Sequence, residues 1–238
     1  MVQSIGTVRL ALVCAAAWFL AGCAAFTDTV HVNDHKSAVA SVRVTVRPET
    51  WARNAESLRG IQIGYERYRA EGTQELRAGQ EIRLNPSDTP LPGPDSLRNE
   101  VTVAHAYLGY SHTFLFGRHL EMEPVFGVAH LRFDAKVQPT VSLLQPSTHY
   151  SRAVAYGGLT PRWRFNDLMA LELRLTWGGR SLDIATRNAD LGLVLRPEKR
   201  VGLRLGYSWR ESGWSTDLLS SEVSVRARGP SASLLFDF

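Results

Sequence analysis

The chain has 238 residues, of which 44% are hydrophobic and 21% charged, with a formal net charge of +4. That length suits one domain, and a charge this mild, with no run of five like charges, argues against nucleic acid as a partner. After residue 22 no apolar run approaches the roughly 20 residues of a membrane-spanning helix, which excludes a helical membrane protein but not a membrane-spanning sheet, whose strands are apolar only at alternate positions.

In chain order, residues 1–9 carry a single charge, Arg9, and Leu10 to Gly22 are apolar. A basic start, a short apolar core and a small-residue site predict a signal peptide over 1–22. Leu20-Ala21-Gly22-Cys23 resembles a bacterial lipobox. The resemblance implies cleavage ahead of Cys23, lipidation of its thiol by lipoprotein-processing enzymes, and sorting to the outer membrane, since Ala24 rather than Asp follows. A plain signal peptide cut near Ala24 or Ala25 is the alternative. Cys14 leaves with the signal, so no cysteine pair remains for a disulfide or metal site. Residues 23–38 are polar and patternless and are expected to be a linker from the anchor.

From residue 39 the pattern is β. Ten strands are expected, over 39–47, 58–69, 74–84, 99–115, 119–135, 150–165, 168–182, 187–196, 200–211 and 220–238. Alternation is sharpest in the second half. Met169, Leu171, Leu173, Leu175 and Trp177 oppose Glu172, Arg174 and Thr176. Val201, Leu203, Leu205, Tyr207 and Trp209 oppose Arg204, Ser208 and Arg210. A period of two sorts these sets, and a helical period would scatter them. The weakest strand is 74–84, where Gln80 interrupts the apolar face. If it belongs to a loop and 39–47 lies outside, eight strands remain. In 119–135, Val125, Gly127, Ala129, Leu131 and Phe133 are taken as the outward face. In 220–238 the apolar parity changes at Gly229-Pro230, and a bulge is expected there. Short connections such as Glu71-Gly72, Gly117-Arg118 and Asn166-Asp167 alternate with longer ones at 48–57, 85–98, 136–149, 183–187 and 212–219.

The chain ends Ser231-Ala232-Ser233-Leu234-Leu235-Phe236-Asp237-Phe238, with Ala232, Leu234, Phe236 and Phe238 on one face. This resembles the C-terminal signature of Gram-negative outer-membrane β-barrel proteins. It implies that Phe236 and Phe238 are read by the barrel-assembly machinery. The expected fold is therefore all-β, a closed antiparallel transmembrane barrel over 39–238 embedded in outer-membrane lipid. Trp163, Trp177, Tyr207 and Trp209 suit an interfacial aromatic girdle. An even strand count would put both chain ends on the periplasmic side.

The inward faces are rich in arginine, and buried charges must pair. Arg162, Glu172, Arg174 and Arg204 are the expected centre of a lumenal charge network. The seven histidines form no metal-ligand or catalytic constellation: His31 and His35 lie in the linker, and His105 and Ser111 share a face but are six residues apart. No catalytic residue, metal or cofactor is expected. Three functions remain: a structural or ligand-binding barrel with a plugged basic interior, a small porin-like anion pore, and a barrel enzyme or adhesin acting through its loops.

Overall fold

The computed structural model describes residues 30–47, 57–82, 89–179, 184–198, 200–215 and 222–238. All regular structure there is strand: β1 (Val30–Asp34), β2 (Val39–Val46), β3 (Ser57–Leu76), β4 (Glu81–Ile82), β5 (Leu91–Pro92), β6 (Asp95–Phe116), β7 (Leu120–Pro139), β8 (Ser147–Arg164), β9 (Met169–Gly178), β10 (Ile184–Glu198), β11 (Val201–Ser215) and β12 (Glu222–Asp237). No helix among the described residues is long and apolar enough to cross a membrane.

Antiparallel pairs run β2–β3–β6–β7–β8–β9–β10–β11–β12, and β12 then pairs with β2, which makes a ring of nine strands. The expected ten strands become nine because 58–69 and the start of 74–84 are one strand. Glu71-Gly72 is not a turn: β3 pairs with β6 without a break from Ser57↔Phe114 to Leu76↔Asp95. The rest of the expected third strand contributes Glu81 and Ile82 to a small hairpin with Leu91 and Pro92. Nine is odd, so the closing pair β12–β2 is parallel, Ser231↔Val39 through Asp237↔Thr45. Val30 and Phe238 consequently lie at opposite ends of the ring, not at the same end.

The presumed linker also contains structure. β1 pairs in parallel with the start of β12, Val30↔Val223 through Asp34↔Ala227. It leans on the inner face of β3, where a Cβ on Gly72 would meet Asn33 N and Val32 Cα at 3.3 and 3.4 Å. His31 N–H donates to Gln74 Oε1 at 3.1 Å, and Glu71 N–H donates to Asp34 Oδ2 at 3.0 Å.

The stagger of the ring can be followed residue by residue. The hydrogen-bonded row through Leu120, Trp163, Leu171, Leu193, Leu205, Ala232, Ala40, Arg67 and Ala104 returns to β7 at Arg132, twelve residues beyond its start. Twelve steps of ~3.3 Å over nine spacings of ~4.8 Å tilt the strands by roughly 43°. The turn from β6 to β7 passes through Gly117 at φ +68°, a left-handed conformation that glycine adopts without a Cβ penalty.

Two strands face the other way from expectation. On β7, Val125, Ala129, Leu131 and Phe133 point inward and are buried, while Phe126 and Val128 are 60% and 58% exposed. On β12 there is no bulge: pairing with β11 is continuous from Glu222 to Phe236, so Val223, Val225 and Ala227 point inward with Ser231 and Ser233. One physical cause explains both. At the end of the ring that holds Val30, the interior is apolar. Val30, Val32, Leu97, Val101, Phe133, Val137, Ile184, Trp214 and Val223 pack there, under Ile82 and Leu91 of the hairpin. An apolar face in that half marks the inside.

Candidate functional site: the charged interior

Below the apolar core, the middle of the ring is filled with ionised and polar groups. Alternation sends them inward: Arg43 from β2, Glu66 from β3, His105 and Tyr107 from β6, Tyr156 and Arg162 from β8, Glu172 and Arg174 from β9, Asp190 from β10, Arg204 and Arg210 from β11. Three carboxylates organise them. Glu172 is the lowest. Its Oε2 accepts from Arg43 Nη2 at 2.9 Å and Arg162 Nη2 at 2.6 Å, and Arg204 Nη1 stands 3.7 Å from Oε1. Asp190 takes a two-pronged pair from Arg210, at 2.8 and 3.0 Å. Glu66 accepts from Arg174 Nη1 at 3.4 Å and lies 3.1 Å from His105 Nδ1.

Aromatic rings complete the packing. Tyr107 and Tyr156 stack with centroids 4.6 Å apart, Arg174 sits 5.2 Å from the centre of the Tyr107 ring, and Arg174 Nη2 donates to the Tyr156 hydroxyl at 3.0 Å. Tyr107 lies flat over Gly64, its cross-strand partner. A Cβ at Gly64 would fall onto the Tyr107 ring, so only glycine permits this ring position. The gap bounded by Arg43, Tyr107, Arg174 and Arg204 has no room for a water molecule.

Of the four residues expected to form the network, the structure brings Arg162 and Arg204 to Glu172. Arg174 does not join them. It shares a strand with Glu172 but reaches across the ring to Glu66, with Asp190 4.0 Å away. Arg43, Glu66, Asp190 and Arg210 complete the cluster. Their inward parity was readable, but their partners lie on strands far apart in sequence. Glu121 and Glu123, at 2.7 and 3.9 Å from Arg162, escaped sequence reasoning because β7 had been given the opposite face.

The end of the ring near the C-terminus has its own lock. Arg47 and Arg196 hold Asp237 at 3.0 and 2.8 Å, Arg47 N–H donates to the Phe238 carbonyl at 2.6 Å, and Phe238 N–H donates to the Thr45 carbonyl at 2.8 Å. Phe238 itself is exposed on the outer face. Cys23 lies outside the described residues.

Of the other histidines, His112 stacks on Phe114 and His119 on Trp163, both on the outer wall. His149 pairs with Asp134 at 2.6 Å in an exposed position. No group of three His, Cys, Asp or Glu donors converges among the described residues. What this interior does chemically is neutralise and cross-link: all nine strands of the ring contribute a charged or hydrogen-bonding side chain to one continuous set of contacts, β12 through Ser233, whose hydroxyl accepts from Arg204 Nη2 at 2.8 Å.

Comparison with known proteins returned no match to a family model, a curated protein or a solved structure.

Proposed function

We propose that this protein is an outer-membrane β-barrel of nine strands with a plugged interior, serving as a membrane scaffold rather than a pore. One observation carries the reading: at the level of the charged interior, the molecule is polar inside and apolar outside. Arg204 is 1% exposed and Glu172 0%, whereas Leu108, Phe126, Val128 and Leu205 are 48–60% exposed. In water that arrangement costs free energy twice, through buried charge and solvated hydrocarbon. In a bilayer the outer face is the favourable one.

The dimensions support it. On β7 the outward residues Leu120, Met122, Pro124, Phe126 and Val128 are apolar up to His130, and on β11 Val201, Leu203, Leu205, Tyr207 and Trp209 are apolar up to Glu211. With the strand tilt, these runs make a band roughly 22 Å tall, close to the ~25 Å apolar height of outer-membrane barrels. Tyr65, Trp177, Tyr207 and Trp209 fall at its upper edge, and Phe114, Trp163, Phe165 and Phe238 at its lower edge, where rings favour the headgroup level. The resemblance of the last strand makes the Phe238 end periplasmic and the barrel-assembly machinery its partner.

Lipidation of Cys23 belongs to the same proposal, with one change. Val30 lies seven positions after Cys23, a reach of at most about 25 Å. Since Val30 is at the end remote from Phe238, an acyl chain on Cys23 enters the leaflet nearest Val30, not the inner leaflet expected from an even strand count. Palmitate labelling that is equal in wild type and Cys23→Ser would remove this part.

Membrane insertion is tested by quenching of Trp177 and Trp209 in vesicles whose lipids carry bromine on the acyl chain. Strong quenching, reduced in Trp177→Phe/Trp209→Phe and reduced further when Trp163 is replaced as well, is the expected result. Planar-bilayer recordings should show no steady conductance. Anion-selective steps would favour the pore reading instead.

A further inference from the structure

On the outer wall, just above the apolar band, a belt of arginines surrounds the ring: Arg67 and Arg69 on β3, Arg132 on β7, Arg187 on β10, Arg226 and Arg228 on β12. Using the register and stagger, all six fall within about four residue steps of one another in height, roughly 10 Å. Most are neutralised locally. Arg69 pairs with Glu71 and Glu100 at 3.0 and 2.7 Å, Arg132 with Asp134 at 3.1 Å, and Arg226 with Glu211 at 3.2 Å. Arg67 and Arg228 are exposed and have no ion-pair or hydrogen-bond partner among the described residues.

These two arginines flank the seam where β2 joins β12. There the wall is lined with small residues, and a groove of about 1000 Å³ runs along it. Its lower part is apolar, made by Ala40, Leu205 and Ala232, which lie in one hydrogen-bonded row. Arg67 continues that row on β3, and Arg228 stands two outward positions above Ala232 on β12. The groove thus begins in the hydrocarbon band and at headgroup height passes between Arg67, which lines it, and Arg228, the next outward residue above the lining residue Pro230; beyond them its upper end is lined by Arg69, Glu100, Asp134 and Lys136.

We infer that this seam groove is a binding site for a phosphate-bearing anionic membrane lipid. One acyl chain lies on Ala40, Ala232 and Leu205, and the phosphate is held by Arg67 and Arg228. The inference rests on the membrane reading above. A chain of methylenes fits an apolar floor of two alanines beside Leu205, and a phosphodiester offers acceptor oxygens to two planar donors that otherwise remain unpaired. The carboxylates that line the groove, Glu100 and Asp134, are paired with Arg69 and Arg132, so the charge left over there is positive and complementary to an anion, and at this height the only abundant occupant is lipid. A zwitterionic headgroup supplies the same phosphate with a competing ammonium, so the site should prefer lipids that are net negative.

The full chain is refolded into vesicles of phosphatidylcholine containing a minor fraction of phosphatidylglycerol, extracted with mild detergent, and retained lipid is counted by native mass spectrometry. Wild type should retain phosphatidylglycerol far above its share. Arg67→Gln/Arg228→Gln should lower that preference roughly tenfold or more, as expected for losing charge-assisted hydrogen bonds. Ala40→Phe/Ala232→Phe, which keeps both charges but fills the floor, should lower retention as well. Arg132→Gln, already paired with Asp134, should behave as wild type.

If the arginine pair variant keeps the wild-type preference, the site is wrong. Competition by inorganic phosphate at the same concentration as lipid, with the floor variant unaffected, would show a phosphate site and overturn the lipid assignment. If wild type fails to co-float with these vesicles, the membrane reading itself fails, and this inference with it.

Discussion

Glu172 is the residue on which most of the interior depends. It is fully buried, and three arginines from three other strands, Arg43, Arg162 and Arg204, stand within 4 Å of it. Removing one member of a buried pair leaves the rest desolvated and uncompensated, at a cost of about 3–5 kcal/mol. Glu172→Ala should therefore lower the urea midpoint of the refolded protein markedly, with loss of heat-modifiable gel mobility. Replacing the pair, as in Arg43→Met/Glu172→Leu, should recover part of the loss, because one of the arginines left without a carboxylate is removed with it. Equal destabilisation by the single and double variants would show that Glu172 acts by packing alone. Gly64 is sensitive for a steric reason. Gly64→Val puts a branched side chain where the Tyr107 ring lies, and should disrupt its stack on Tyr156 and destabilise the same network. The check is the same urea midpoint, and a wild-type value would mean that Tyr107 has a second place to go.

At the scale of the element, the long strands of the first half have two different jobs. The lower part of β6, from Ala104 to Phe116, forms part of the wall that carries the outward apolar band, while its start, at Asp95, stands well above that band. There Asp95 organises the connection that follows β7: Thr140, Val141 and Ser142 N–H donate to its carboxylate at 3.0–3.2 Å. Partial burial pushes the Asp95 carboxyl up, but the backbone donors of Ser142, Val141, Thr140 and Ser96 outweigh it and hold the group below its ordinary value. A carboxyl lowered by folding stabilises at any pH above its unfolded value, and that contribution is lost as pH falls through the folded one. The 140–142 turn should thus stay docked at neutral and mildly acidic pH and release only below the ordinary aspartate range of about 3.9. Amide chemical shifts of Val141 and Ser142 in detergent micelles should report that transition, and Asp95→Asn should abolish it. A midpoint at or above the ordinary value would contradict the hydrogen-bond account.

At the scale of the whole molecule, an odd ring fixes sidedness. With nine strands the chain enters at one end and finishes at the other, so Asn33 and Lys136 share an end while Arg118 and Phe238 share the opposite one. Single cysteines at positions 33, 118 and 136, in a Cys14→Ser/Cys23→Ser background, should show it. In sealed proteoliposomes of uniform orientation, a membrane-impermeant maleimide should label 33 and 136 together and leave 118 protected, or the reverse. Labelling of 33 with 118 would restore an even count. The last strand should also be needed for assembly. Phe238 is joined to Thr45 and Arg47 by backbone bonds on the closing strand, and a ring whose seam is open cannot face lipid. Deleting Phe238 should lower the folded, heat-modifiable fraction in the membrane.

Alternation alone determined much of this. Which residues of β8 to β11 share a face follows from a period of two, and Arg162, Glu172, Arg174 and Arg204 are assigned inward by the expectation of a transmembrane barrel, whose charged residues face away from lipid. The same rule failed where both faces were unhelpful. On β7 and early β12 the apolar face is the inner one, since that half of the interior is a hydrocarbon core sealed by β1 and the β4–β5 hairpin, and local sequence does not state what fills the far side of a sheet. Strand count failed at Gly72, because a glycine reads as a turn in isolation. What keeps β3 straight through it is twenty residues of pairing with β6 and the close approach of β1. Partners were beyond reach for the same reason. Arg174 chooses Glu66 over its strand neighbour Glu172 because the curvature of the ring brings opposite walls together, and that curvature is set by nine strands and their stagger, which no segment of the chain encodes by itself.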